Sequence, residues 1–268
     1  MKSADADRLA AEVPAAAAPW ITRPLLRPLA WLLLQLLLLG LGLASLIWNL
    51  VAWLLLPLLG ADRGQRLGRA GISRGYATFW RVAESTGLLR MHAAPLDVLA
   101  DEPGLIVVAN HPSLLDALML IAHLPRGACI MKASLARNPF LGAGARLAGY
   151  IRNDVPMDMV RAAEVDLRAG GQLVLFPEGT RTTERPLNPF RTVVGLIAKR
   201  AQAPVQTVFI DTDSPYLGKG WPLWRLPPLP IVFTVRLGRR FEPRDDAQGL
   251  QSELEAYYAA ALRRGGGS

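Results

Sequence analysis

The most prominent feature of the hydropathy pattern is an apolar run that contains no charged residue. It extends over 34 residues from Pro28 to Ala61 and consists mainly of leucine. An apolar stretch of about 18 residues or more is typical of a membrane segment. The pattern therefore predicts a membrane-embedded helical segment over residues 23–61. The alanine-rich residues 1–22 before it are predicted to be a disordered leader.

Two arrangements of the apolar segment are open. A straight helix of this length would measure about 51 Å, against a hydrocarbon core of about 30 Å. Gly40 and Gly42 mark a candidate break near its middle, which favours a hairpin. Arginines flank both ends, and basic flanks prefer the cytoplasmic side, which also favours the hairpin. The alternative is a single span followed by a cytosolic domain.

Beyond the apolar segment, short apolar strands alternate with amphipathic helices. Strands are predicted at Leu105–Ala109, Leu173–Phe176, Val205–Ile210 and Ile231–Leu237. Helices are predicted at Ser113–His123, Met157–Ala169, Thr192–Ala201 and Ala247–Arg264. This alternation predicts an α/β domain over residues 62–264, with a mixed central sheet flanked by helices. Residues 212–230 are expected to form a long surface loop that rests on the membrane or caps the core, and residues 265–268 a flexible tail.

The amino-acid composition limits the kinds of site and partner that the chain can have. With one cysteine, Cys129, the chain can form neither an intrachain disulfide nor a cysteine-based metal cluster, and three histidines leave little room for a multi-histidine site. We therefore expect no metal. The net charge of +8 favours an anionic partner. Because the basic residues lie beside the apolar run, anionic lipid headgroups explain them, and nucleic acid is not expected as a partner.

A histidine and an aspartate follow the first predicted strand, in the segment Asn110-His-Pro-Ser-Leu-Leu-Asp116. His111 lies at the carboxyl end of that strand, where open α/β sheets usually bind ligands. Asp116 could accept a hydrogen bond from the imidazole and leave its other nitrogen as a general base. Ser113-x-x-Asp116 is also a capping-box pattern, so Asp116 could simply cap the next helix. The two roles are compatible.

A second polar motif, Phe176-Pro-Glu-Gly-Thr-Arg181, follows the second predicted strand. Pro177 and Gly179 around the acidic residue predict a tight turn. Glu178 could hold a hydroxyl of a polyol and Arg181 could hold a phosphate. The simpler interpretation is a turn with a surface ion pair.

The two motifs together resemble the N-H-x4-D and F-P-E-G-T-R blocks of the glycerolipid acyltransferases, the 1-acylglycerol-3-phosphate type. They occur in the family's order, about 60 residues apart. The stretches Lys132–Gly142 and Gly149–Arg152 are similar to blocks that the family has between them. The resemblance covers roughly residues 105–210.

The resemblance implies specific roles and partners. His111 would be the general base and Asp116 its partner. Lys132, Arg152 and Arg181 would face the phosphate of the acceptor, and Glu178, Gly179 and Thr180 would shape the acceptor pocket. The donor would be acyl-CoA or acyl-acyl carrier protein as co-substrate, with no other cofactor. The acceptor would be a lysophospholipid, and the location the inner (cytoplasmic) membrane or its equivalent, with the catalytic domain facing the cytosol.

Departures from the family pattern leave the acceptor open. The family's fourth block usually has a second proline where this chain has Thr207, and Phe190-Arg-Thr-Val193 lacks the usual glycine. A different lyso- or hydroxy-lipid acceptor is therefore one alternative, and an inactive lipid-binding protein is another. A serine hydrolase is a third, because Gly71-Ile-Ser-Arg-Gly75 matches G-x-S-x-G. However, no buried strand precedes it, as a nucleophile elbow requires.

Overall fold

The computed structural model describes residues 23–184, 187–191 and 193–265. The predicted leader over residues 1–22 and all but the first residue of the predicted tail lie outside the described residues. Within them, the structure has seven α-helices: α1 (Arg27–Leu55), α2 (Ala61–Ser85), α3 (Leu115–His123), α4 (Gly142–Leu147), α5 (Pro156–Arg168), α6 (Val194–Ala201) and α7 (Ala247–Gly265). The described strands are β1 (Leu89–His92), β2 (Leu105–Ala109), β3 (Gly127–Met131), β4 (Ile151–Arg152), β5 (Gln172–Leu175), β6 (Val205–Asp211) and β7 (Ile231–Phe241).

The apolar segment forms one helix, α1, without the predicted break at Gly40 and Gly42. A Cβ atom added at either glycine would meet no neighbouring atom within 4 Å, so the two glycines mark neither a turn nor a close contact. Long apolar side chains favour the helix on both sides, and the small cost of two glycines does not interrupt it. Pro24–Leu55 is long and apolar enough to cross a membrane, judged by length and composition alone.

The seven strands form a mixed sheet in the order β1-β7-β6-β2-β5-β3-β4. Every neighbouring pair is parallel except β6 and β7, which are antiparallel. This confirms the predicted α/β class with a mixed sheet flanked by helices. The prediction missed β1, β3, β4 and helices α2 and α4, whose patterns are short or rich in arginine and glycine.

Helices cover both faces of the sheet. Val107 and Ala109 of β2 belong to the core that α1, α2 and α3 cover, whereas Ile106 and Val108 belong to the core beneath α5, α6 and α7. The central strand is therefore buried on both faces, as its unbroken apolar sequence predicts. The N-terminal apolar helix and α5 consequently lie on opposite sides of the sheet.

The carboxyl ends of three parallel neighbours, β5, β2 and β6, meet at one edge of the sheet. The first motif follows β2, the second motif follows β5, and residues 212–230 follow β6. Sheet topology alone thus brings the two motifs and the long loop together. The ends of β3 and β4 continue the same edge.

Helix α1 contacts the α/β domain near both of its ends. Near its start, Trp31 Nε1 donates to the carbonyl of Trp224 at 2.8 Å and Gln35 Nε2 donates to that of Leu223 at 3.0 Å. Near its end, Asn49 Oδ1 accepts the backbone N–H groups of the first turn of α4, at 2.7 and 2.9 Å. The helix therefore lies lengthwise against the domain.

Candidate active site

The first motif is held at the sheet edge by its asparagine. The Asn110 amide donates to the carbonyl of Ile210 at 2.8 Å and accepts the N–H of the same residue at 2.8 Å. These two hydrogen bonds join the end of β2 to the end of β6. Sequence reasoning gave Asn110 no role, although its place directly after a buried strand, where a ladder must end, is a usable signal.

The predicted pairing of His111 with Asp116 is present. The Nδ1 atom of His111 lies 3.0 Å from Oδ2 of Asp116, and their side chains are 14% and 0% exposed. The same carboxylate oxygen accepts the N–H of Ser113 at 2.7 Å. Asp116 therefore orients the imidazole and also closes half of a capping box, so the catalytic and capping interpretations apply to one side chain.

The Asp116 carboxyl is fully buried, and this burial raises its pKa. The hydrogen bond and the charge of His111 act in the opposite direction, and the N–H of Ser113 does so more weakly. Within the described chain, the second oxygen, Oδ1, is buried without a hydrogen-bond partner. A buried carboxylate with one oxygen committed to the imidazole is suited to stabilise an imidazolium ion.

Phe176 stacks on the imidazole of His111. The two ring centroids are 3.9 Å apart and the ring planes are inclined by 17°. Together with the bond to Asp116, this contact fixes both the position and the plane of the imidazole. Sequence reasoning quoted Phe176 as part of the second motif but did not foresee that it touches the histidine.

Glu178 joins the two motifs from inside the protein. Its side chain is 0% exposed. Oε1 accepts the N–H of His111 at 3.1 Å and the hydroxyl of Thr182 at 2.7 Å, and Oε2 accepts the N–H of Asn188 at 3.0 Å. The N–H of Thr182 also donates to the carbonyl of His111 at 2.8 Å. These bonds give Glu178 a positioning role between the two motifs, and its expected contact with a hydroxyl of the acceptor stays a prediction.

Gly179 forms the tight turn that the second motif predicts. Its φ is +68°, a left-handed conformation that glycine adopts without strain, and its N–H donates to the carbonyl of Phe176. An added Cβ would lie 3.8 Å from the side chain of Arg191, so this arginine passes over the turn. Thr180, next in the motif, is partly exposed. Arg191, which sequence reasoning treated only as a departure from the family, is a further cation beside the turn.

Arg181 contacts the long loop after β6. Its Nη1 donates to the carbonyls of Leu217 at 2.8 Å and Gly218 at 3.1 Å. The Ser113 hydroxyl donates to the carbonyl of Tyr216 at 3.0 Å from the other motif. Tyr216 is 1% exposed, so this part of the loop caps the core beside the motifs. Arg181 thus has a structural function that its motif did not reveal.

Lys132 and Arg152 lie at the same sheet edge, farther from β2. Met131 pairs with Arg152 in the β3–β4 ladder, so Lys132 follows directly beside it. Lys132 is exposed, and the Arg152 guanidinium is paired with Asp154. The topology brings both cations to the edge of the sheet that carries His111. They lie beyond β5, at the ends of β3 and β4.

The G-x-S-x-G sequence is not a nucleophile elbow. It lies inside helix α2, and Ser73 is buried with its hydroxyl donating to the carbonyl of Ala122 at 3.3 Å. A nucleophile elbow needs a strand-to-helix turn that exposes the hydroxyl. The serine hydrolase alternative therefore loses its candidate nucleophile.

The site as built offers one oriented imidazole beside a buried carboxylate, at a sheet edge that also carries several cations. Within the described residues, Nε2 of His111 has no protein partner, whereas Nδ1 is committed to Asp116. An imidazole held in this way can remove a proton from a hydroxyl group. The family model described as "Acyltransferase" matches residues 90–211, which include both motifs.

Residues 90–211 are similar to the acyltransferase family model over just under half of the chain. Curated relatives include the 1-acyl-sn-glycerol-3-phosphate acyltransferase of Helicobacter pylori, 34% identical over 113 residues, which are 39% of this chain and 47% of the relative. The human 1-acyl-sn-glycerol-3-phosphate acyltransferase alpha is 30% identical over 125 residues, 42% and 43% of the two chains. The chain spans about half the length of the curated relatives it matches.

The fold of this chain also occurs in a solved structure. The 1-acyl-sn-glycerophosphate (LPA) acyltransferase PlsC from Thermotoga maritima superposes with a TM-score of 0.65. The match covers 90% of this chain and 98% of that one, at 22% sequence identity. At this identity the similarity establishes the fold and nothing about substrates.

Proposed function

We propose that this protein is a membrane-bound O-acyltransferase. It moves a fatty acyl group from a thioester donor, acyl-CoA or acyl-acyl carrier protein, to the free hydroxyl of 1-acylglycerol-3-phosphate. The observation that carries the proposal is the His111–Asp116 pair at 3.0 Å, at the sheet edge shared with the second motif. The acceptor is inferred from the names of the matched relatives.

The reaction follows from the geometry around His111. Because Asp116 accepts the hydrogen on Nδ1, Nε2 carries the free lone pair and takes the proton of the acceptor hydroxyl. The acceptor oxygen then attacks the thioester carbonyl. The tetrahedral intermediate breaks its carbon–sulfur bond, and the departing thiolate takes the proton back from the imidazolium. A thioester is already activated, so no covalent enzyme intermediate is needed.

The cations at the sheet edge support a phosphate-bearing acceptor. Lys132, Arg152 and Arg181 are the residues that the family resemblance assigns to the phosphate, and Arg191 lies beside the turn at Gly179. Arg181 already donates one nitrogen to the loop carbonyls, so a phosphate would use its remaining N–H groups. Glu178 and Thr182 act indirectly, by holding His111 in place.

Helix α1 attaches the protein to the membrane from one side in this proposal. Trp31 and Asn49, about 27 Å apart along the helix axis, both contact the α/β domain. A helix that crossed the hydrocarbon core, about 30 Å thick, would carry that domain into it. The face away from the domain is apolar and exposed, which suits insertion into one leaflet. Its exposed residues include Leu36, Leu39, Leu43, Ile47, Leu50, Trp53 and Leu54.

A donor-and-acceptor panel tests the proposed function. The purified full chain would be incubated with labelled acyl-CoA or acyl-acyl carrier protein, together with lysophosphatidate, lysophosphatidylethanolamine or lysophosphatidylglycerol. We expect fastest transfer to lysophosphatidate. Transfer only to a phosphate-free acceptor would contradict the assigned acceptor, and no transfer from either donor would support the inactive lipid-binding alternative.

A further inference from the structure

An open cavity of about 480 Å³ lies where the start of helix α1 meets the long loop after β6. We call it the Arg27 notch, and its lining includes Arg27, Pro215, Trp221 and Arg225. None of its lining residues belongs to the motifs at 110–116 or 176–182, although the lining residue Pro215 directly precedes Tyr216, whose carbonyl accepts the hydroxyl of Ser113.

The polar groups of the notch are hydrogen-bond donors. The guanidinium carbon of Arg225 lies 5.0 Å from the centre of the Trp221 ring. In the part of the chain that the structure describes, no carboxylate pairs with Arg27 or Arg225, and the buried indole N–H of Trp221 has no acceptor. Two guanidinium groups that no carboxylate neutralises form a site for an anion such as a phosphate.

Exposed apolar side chains lie next to the two arginines in the sequence, Leu25 and Leu29 on either side of Arg27 and Trp224 directly before Arg225. On the α1 side, Leu25 is 92% exposed and Leu29 is 45% exposed; on the loop side, Trp224 is 75% exposed. The bond from Trp31 Nε1 to the Trp224 carbonyl joins α1 to the loop. Cations at the border of an apolar surface match a molecule with an anionic head and hydrocarbon chains.

We propose that the Arg27 notch binds the phosphate of an anionic membrane phospholipid that is not the acceptor of the reaction. The acyl chains of this lipid lie against the apolar surface of α1. Charge complementarity and the adjoining exposed apolar side chains identify this occupant. The proposal rests on the membrane attachment proposed above, and it adds a headgroup-specific contact to a hydrophobic one.

Lipid binding by the full-length protein in non-ionic detergent tests the notch. Phosphatidylglycerol and phosphatidylcholine would be titrated separately, with bound lipid counted by native mass spectrometry. We expect the wild type to prefer phosphatidylglycerol and Arg27→Gln/Arg225→Gln to bind it roughly 10- to 30-fold more weakly. Arg161→Gln is the matched control, because Arg161 is an exposed arginine on α5, which covers the opposite face of the sheet.

Three outcomes would overturn the proposal. The first is wild-type affinity for phosphatidylglycerol in the double variant, with melting temperatures confirming that it is folded. The second is that inorganic phosphate binds the notch as well as the lipid does and displaces it, which would show a simple anion site. The third is a raised KM of the double variant for a short-chain soluble acceptor, which would assign the notch to the acceptor. Absence of acyl transfer in the wild type would contradict the proposed function and leave the lipid titration interpretable.

Discussion

The backbone N–H of His111 donates to Oε1 of Glu178 at 3.1 Å, inside the protein and away from solvent. The sequence resemblance assigns Glu178 to the acceptor pocket, and in the structure its carboxylate holds the two motifs together. It also accepts the hydroxyl of Thr182 and the N–H of Asn188. Replacing Glu178 should change the position of His111 and the stability of the fold more than the affinity for the acceptor.

Glu178→Gln tests this role. The glutamine keeps one acceptor oxygen, but its NH₂ group faces either the N–H of Asn188 or the donors from His111 and Thr182. A buried donor without an acceptor costs about 1–3 kcal/mol, so we expect a clearly lower melting temperature and a lower kcat with a nearly unchanged acceptor KM. Unchanged stability together with a raised KM would show that Glu178 binds the acceptor directly.

The stack of Phe176 on His111 leads to a second prediction. An aromatic pair contributes about 0.5–1.5 kcal/mol beyond simple burial, so Phe176→Leu should lower kcat by roughly 2- to 10-fold. Phe176→Tyr keeps the ring and should recover most of that loss. Steady-state kinetics on both variants, at one pH and with one acceptor, make the comparison. Equal activity of the leucine and tyrosine variants would show that ring stacking does not position the imidazole.

Asp116→Asn should separate activity from stability. Burial raises the pKa of Asp116 in the folded protein, so the folded state holds this proton more tightly than the unfolded chain. That contribution to stability is complete below the unfolded pKa, near 4, and is lost as pH rises through the folded value. Asparagine does not titrate. The melting temperature of the variant, relative to wild type, should therefore rise as pH increases from about 4 to 7.

Acyl transfer by the same variant should fall by about 100-fold or more, because asparagine cannot stabilise an imidazolium ion as a carboxylate does. Thermal melts at a series of pH values, paired with rates at neutral pH, provide both readouts. A melting temperature of the variant that falls relative to that of the wild type as pH rises would contradict the assigned direction of the Asp116 pKa shift.

Arg181 makes a prediction about the loop after β6. Its Nη1 holds the carbonyls of Leu217 and Gly218, so Arg181→Ala should release this segment. Hydrogen exchange at residues 214–221 should become faster, and the acceptor KM should rise if the remaining N–H groups bind phosphate. Arg161→Ala, on the opposite face of the sheet, is the matched control. Unchanged exchange in the loop would show that these two bonds do not hold it.

Local sequence patterns were sufficient for the parts of the fold that depend on local periodicity. Leu105–Ala109 forms a strand with the predicted bounds because its residues are apolar on both faces. The His111–Asp116 pair was predictable for a similar reason, since a five-residue spacing across a strand end and a helix start permits contact. Parallel order of β2 and β5 then brings the second motif to the same edge.

Other features depend on partners that are distant in the sequence. The burial of Glu178 depends on His111 and Asn188, and the attachment of helix α1 to the domain depends on Trp224 and the first turn of α4. No pattern within a few residues encodes these relationships. In the loop after β6, Tyr216 caps the core, whereas Trp224 is exposed beside α1, and contact of the loop with the membrane stays a prediction.

The central claim is that His111 removes the acceptor proton, and its most direct test is the acyl-transfer rate of His111→Ala in the purified full-length protein. The chain supplies a matched control in His123, whose Nδ1 lies 2.7 Å from Asp97 in a second histidine–aspartate pair. We predict a loss of about 10²–10⁴-fold for His111→Ala, with membrane attachment retained, and a near-wild-type rate for His123→Ala. A His111→Ala rate equal to that of the wild type would contradict the claim.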